Sequence, residues 1–156
     1  MSEEIDVEQS HKYFSAFCFN AAWDVIELED PSPEAIEMMI HLCHSSLWHW
    51  SQREDVNANN VSIAYWQLSR VYTVAGQAAN AVRYARRCVD VSNANDLAPF
   101  YDAYAYEALA RSEALSGNRT AAEEAIRKAK QIGKTIPSEE NKNALMSDLE
   151  TINLPA

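Results

Sequence analysis

The string HLCHSSLWHW, residues 41–50, holds the side chains best suited to bind a metal ion. His41 and His44 are three apart and Glu37 lies four before His41, so a helix here sets all three on neighbouring turns of one face. Two imidazoles and a carboxylate form a donor set for a transition metal. A bundle dimetal site requires Glu-x-x-His on each of two helices, whereas the chain has that spacing once, from Glu8 to His11, and Glu37 stands four from His41. The expectation is therefore no metal and no cofactor, with Glu37, His41 and His44 as the candidate ligands if one is bound. Nucleophilic catalysis has even less material. No serine sits in a strand-to-helix elbow, no glycine-rich loop can cradle phosphate, and all four histidines precede residue 50. A non-enzymatic protein is expected. One further segment stands out: FYDAYAYEAL places four aromatics between Phe100 and Tyr106, and helical periodicity spreads them around the axis. Some must face outward, although packing between helices explains most of such a run.

These residues need elements to position them, and composition restricts which. Only three glycines and five prolines in 156 residues leave too few turns for a sheet protein, so the chain is expected to be all-helical. Cys18, Cys43 and Cys88 are odd in number and fall one per helical segment, which suits buried thiols in a reducing compartment. The acidic start MSEEIDVEQS has no apolar core of a leader, and YFSAFCFNAAW is far too short for the roughly 20 residues that span a bilayer. A cytoplasmic protein with no membrane contact is expected. The net charge of −10 is unevenly distributed. Residues 1–69 hold Lys12 and Arg53 against twelve acidic residues, whereas residues 70–156 hold eleven of each sign. That balance excludes a nonspecific nucleic-acid binder, which needs a basic footprint. The cations Arg83, Arg86, Arg87, Arg127, Lys128 and Lys130 are expected on outer helices. Opposite fields at the two ends would permit a salt-sensitive homodimer.

The organisation itself is a repeat. LSRVYTVAGQAANAVRYARRCVDV, starting at Leu68, meets LARSEALSGNRTAAEEAIRKAKQI, starting at Leu109, at an offset of 41 residues without a gap. Leu68 falls on Leu109, Arg70 on Arg111, Gly76 on Gly117, Ala81 on Ala122 and Arg86 on Arg127. Each copy reads as helix, tight glycine turn, helix. The small residues Ala81, Ala85 and Cys88, then Ala122, Ala125 and Ala129, recur at the spacing of an inward stripe. Thr120 and Glu123 have the spacing of a capping box for the last helix of the second copy. A fainter copy comes earlier. Ser32 caps a helix with Pro33 at its first position, and Ile36, Met39, Ile40, Cys43, Leu47 and Trp50 form its apolar stripe. Before it, a helix from Glu8 to Leu28 would turn Phe14, Phe17, Cys18, Ala21 and Val25 inward. The predicted architecture is an antiparallel helix-pair solenoid within one domain, residues 1–156. Its pairs lie at about 8–52, 58–94 and 97–135, and a capping helix at about 138–152 carries Leu145, Leu149 and Ile152 on one face.

Tyr65, Leu68, Ser69, Tyr72, Gly76, Ala81 and Cys88 resemble the tetratricopeptide pattern of aromatic, leucine, small, tyrosine, glycine, alanine and alanine. Tyr106, Leu109, Ala110, Gly117, Ala122 and Ala129 resemble it again. Glu113 stands where the second tyrosine belongs, the 41-residue period exceeds the usual 34, and the closing prolines are displaced to Pro99 and Pro137. The pattern looks like an extended-period variant, and WQLSRVY, RYARRC and AYEALAR look like bacterial tetratricopeptide-like proteins. The resemblance implies a concave groove, lined by the first helix of each pair, that holds a protein or peptide segment. Carried over, the groove positions are Ile63, Trp66, Arg70, Thr73 and Val74, then Tyr104, Glu107, Arg111, Ala114 and Leu115. Trp66, Arg70, Tyr104, Glu107 and Arg111 are the expected partner-binding set, with two arginines able to grip a carboxylate or phosphate against aromatic walls. A plainer role is open to them, since Glu107 and Arg111 are spaced to pair along one helix and Arg70 to stack on Trp66. The asparagine and lysine clamp of chaperone-tail readers is missing. A scaffold or adaptor is thus expected, and the alternative is a helical protein that binds a small ligand or metal through its aromatic and histidine-rich faces.

Overall fold

A computed structural model describes residues 5–156. Seven α-helices and no strand occur among them: α1 Val7–Ile26, α2 Pro33–Ser51, α3 Ala58–Val74, α4 Ala78–Asn95, α5 Pro99–Leu115, α6 Arg119–Gly133 and α7 Glu139–Glu150. Each helix packs on its neighbours in the chain, so the fold is a solenoid of three antiparallel helix pairs with α7 laid against α5 and α6. No helix among the described residues is long and apolar enough to cross a membrane.

The local signals act where chain chemistry requires. Gly76 and Gly117 adopt φ of 71° and 83°, the left-handed conformation that ends α3 and α5 without a Cβ penalty. Ser32 accepts from the Ala35 amide and Ser138 from the Asn141 amide, capping α2 and α7. The cap of α6 differs from the expected Thr120–Glu123 box. Asn118, directly after the glycine, accepts from the Ala121 amide instead, and Arg119 takes Glu123 as an ion-pair partner at 2.9 Å. The helix therefore starts before Thr120. Helix α4 runs to Asn95 and stops at Asp96 in a left-handed conformation with φ 48°.

Close approach within pairs depends on small residues. Ala81, Ala85, Cys88 and Ser92 are the buried stripe of α4, and Ala122, Ala125, Ala129 and Gly133 that of α6. A Cβ on Gly133 would stand 2.6 Å from Cδ2 of the fully buried Leu145, so this glycine lets α7 sit down. In the first pair the buried α1 residues are Ser15, Cys18 and Ala22. Phe14 and Phe17, expected inward, are 42% and 50% exposed. The reason is backbone proximity: Ser46 of α2 donates to the Ser15 carbonyl at 2.8 Å, a distance that an intervening phenyl ring would prevent. The rings turn outward and join Tyr13 and His49 in an exposed aromatic cluster. Gln67, buried in α3, locks the first pair to the second. Its Nε2 donates to the Phe19 carbonyl at 2.9 Å, and Cys43 Sγ donates to its Oε1 at 3.3 Å. All three cysteines are free and buried.

Candidate functional site

The first helices of successive pairs share one face, along which side chains touch in sequence. Trp23 of α1 lies 5.5 Å from Trp66 of α3, and Trp66 lies 6.0 Å, edge to face, from Tyr104 of α5. Tyr104 in turn donates its hydroxyl to Asp148 Oδ2 of α7 at 2.7 Å. The expected set Trp66, Arg70, Tyr104, Glu107 and Arg111 thus comes together on α3 and α5, as the 41-residue offset implies.

Within the set the two arginines differ. Arg111 is engaged on all sides: its Nε donates to Glu107 Oε1 at 2.8 Å, and its Nη2 donates to the Asp148 carbonyl at 2.8 Å and to Thr151 Oγ1 at 2.9 Å. Its side chain is only 12% exposed and that of Glu107 only 3%. Glu107 Oε2 also accepts from Trp66 Nε1 at 3.3 Å, which fixes the indole plane. The Glu107–Arg111 pair therefore forms along one helix and also ties α5 to the end of α7. Arg70, one repeat earlier, makes no hydrogen bond, ion pair or ring-stacking contact among the described residues, although it is half-buried. Burial, with the like charge of Arg111, pulls its pKa below the ordinary value, while Glu107 and Asp148 oppose that. It is a guanidinium with donors to spare beside a satisfied one.

Between these helices lies a cavity of about 300 Å³. Ser62, Ile63 and Trp66 of α3, Cys88 of α4, Phe100, Tyr101 and Tyr104 of α5, and Asp148 of α7 line it. Phe100 stands 5.0 Å from Tyr104 and 5.5 Å from Tyr101, with planes inclined at 56° and 84°. Burial, followed by the Asp148 hydrogen bond and the charges of Asp148 and Glu107, raises the Tyr104 hydroxyl well above the ordinary tyrosine range. At the back, Cys88 donates to the Ser62 carbonyl at 3.3 Å, and burial above all pushes its thiol up to about 11. An unreactive thiol results. The aromatic run was visible in the sequence. Asp148 was not, because only the packing of α7 brings it to α5.

The histidine segment is arranged differently from a metal centre. His44 shares a 2.8 Å hydrogen bond with the Tyr72 hydroxyl, whereas Glu37 and His41 are exposed. No group of three or more His, Cys, Asp or Glu residues poised for a metal occurs among the described residues. His11 and His49 face each other with their Nδ1 atoms 2.9 Å apart, so one of the two carries the proton. Arg83, Arg86, Arg87, Arg127, Lys128 and Lys130 are exposed on α4 and α6. Arg86 is nevertheless tied, at 3.0 Å, to Glu113, whose side chain is only 6% exposed. Glu113 stands one 41-residue repeat after Tyr72, so an ion pair occupies the place that an aromatic side chain takes in the earlier copy. No protein-family model, curated protein or solved structure matches the chain significantly.

Proposed function

We propose that this protein is a tetratricopeptide-like scaffold or adaptor, non-enzymatic, that binds a segment of a partner protein on the face of α1, α3, α5 and α7. One observation carries the reading: Arg70 is half-buried beside an aromatic row, and no described residue accepts from its guanidinium. Its donors are uncommitted within the fold, and a carboxylate or phosphate of a bound segment would take charge-assisted hydrogen bonds from them. Aromatic and arginine side chains are also the usual anchors of binding surfaces. Glu107 and Arg111 then hold the wall rather than the ligand, since each is already satisfied by the fold. Affinity capture from the native cell extract, using the wild-type chain and Arg70→Ala in parallel, tests this. A partner retained by the first and lost from the second supports the reading. An identical set captured by both removes its residue-level support.

A second reading, a small-ligand-binding helical protein, is favoured by the aromatic cavity between α3, α5 and α7.

A further inference from the structure

The chemistry of the cavity walls restricts what can occupy it. Trp66, Phe100 and Tyr104 offer ring surfaces at steep angles to one another, 89° between Trp66 and Tyr104 and 56° between Phe100 and Tyr104. Rings so inclined enclose a space from several sides instead of stacking into a flat slot. Aromatic faces are the negative pole of the ring quadrupole and attract cations. The charged group on the wall is Asp148, whose Oδ2 is held by Tyr104 and to whose Oδ1 no described residue donates. Neither Arg70 nor Arg111 lines the cavity. Asp148 and Glu107 both act to keep the Tyr104 proton in place; Arg111 is committed to Glu107 and the α7 backbone, and Arg70 feels the Asp148 charge from outside the cavity without bonding to it.

A primary ammonium brings three donors, which would have to share Asp148 Oδ1 and the hydroxyls of Ser62 and Tyr101 on walls that are otherwise mostly aromatic. A neutral apolar group would fill the space but leave Asp148 Oδ1 without a partner in the cavity. A quaternary ammonium has no donors, an apolar methyl surface and a spread positive charge, and it meets both conditions. The volume of about 300 Å³ lies at the small end of ligand pockets, which suits a compact head group. We infer that the cavity bounded by Trp66, Phe100, Tyr104 and Asp148 is a binding site for a quaternary, N-methylated ammonium group. This rests on the small-ligand reading of the cavity, which Arg70 does not line.

Isothermal titration calorimetry of the full chain tests it with tetramethylammonium, choline, and 3,3-dimethyl-1-butanol, the uncharged analogue of choline. A peptide bearing trimethyllysine, beside its unmethylated form, separates the two sources of such a group. Saturable binding of the cations, with the neutral analogue weaker by about tenfold or more, is expected. Preference for choline over the methylated peptide assigns a free compound, and the reverse assigns a partner's side chain. Phe100→Leu, which keeps apolar bulk without a π face, should weaken the cations by about tenfold and leave the neutral analogue unchanged. Asp148→Asn, which keeps an acceptor for Tyr104, should act in the same direction. Circular dichroism confirms that each variant is folded. Equal binding of choline and its neutral analogue would overturn the inference while retaining a small-ligand cavity. No saturable binding by any probe would overturn both.

Discussion

Replacing Arg111 by alanine should cost folding stability out of proportion to its place on an open face. The guanidinium compensates Glu107, whose side chain is 3% exposed, and donates two hydrogen bonds to the last turn of α7, at Asp148 O and Thr151 Oγ1. Removing one partner of a buried ion pair leaves the other charge desolvated, typically at about 3–5 kcal/mol. Trp66 still donates to Glu107 Oε2 in the variant, which places the loss toward the lower end of that range. The α7 contacts act in the opposite direction, at about 1.5–3 kcal/mol for a hydrogen bond from a charged donor. A net loss of about 3 kcal/mol or more follows, or roughly 6–12 °C in melting temperature for a chain of this length. Urea denaturation of the wild type and Arg111→Ala measures it directly. Glu107→Gln in the Arg111→Ala background should recover part of the loss, because the orphaned charge is then gone. A loss under about 1 kcal/mol, without recovery in the double variant, would refute the buried-pair argument.

Other consequences follow from packing and charge. Leu145 is fully buried against α6, so Leu145→Ala should destabilise by about 2–5 kcal/mol in equilibrium denaturation, and a smaller loss would mean that α7 is only loosely attached. In α1, Phe17→Ala should change stability by under about 1 kcal/mol because the ring is half exposed, whereas Ala22→Val, at a fully buried contact, should cost about 1–3 kcal/mol. The reverse order in thermal melts would restore the aromatic face as the inward one. His44 is held below its ordinary 6.5 by burial and then by the charges of His41 and Arg83, and His49 is lowered by burial and then by His11. The unfolded chain thus takes up these protons more readily. Their contribution is present above pH 6.5 and is lost as pH falls below it, so the melting temperature should decline on acidification, less steeply in His44→Gln. A flat profile down to about pH 5 would contradict this.

Much of the architecture was legible because turn chemistry is local. Left-handed glycines at 76 and 117, the Ser32–Pro33 start and the Ser138 cap each act through the backbone beside them. What the pattern misplaced depends on partners distant in sequence. Phe14 and Phe17 read as core because apolar residues usually point inward, yet Ser46 bonded to the Ser15 backbone leaves no room for them. Thr120 and Asn118 are both competent caps. The helix start directly after the glycine turn selects Asn118, and Arg119 then claims Glu123. For the candidate site, the 41-residue offset brought Arg70 and Arg111 into equivalent places, but equivalence of position did not mean equivalence of bonding. Only Arg111 bonds to α7, at the Asp148 carbonyl and Thr151 Oγ1. The cavity's carboxylate, Asp148, comes from a helix outside the repeat, so no alignment of the two copies points to it.

The adaptor reading meets its most direct test in the affinity of a captured partner segment for three proteins: wild type, Arg70→Ala and Arg127→Ala. Arg127 is the appropriate control because it is 77% exposed and its one ion-pair contact, with Glu124, is long at 3.8 Å. The more obvious choice, Arg86, would leave Glu113 buried without its partner. Loss of a charge-assisted hydrogen bond at Arg70 should weaken binding by about 1.5–3 kcal/mol, roughly 10- to 150-fold, with the melting temperature nearly unchanged. Arg127→Ala should bind like the wild type. Equal affinity of all three proteins for every captured segment would contradict the account.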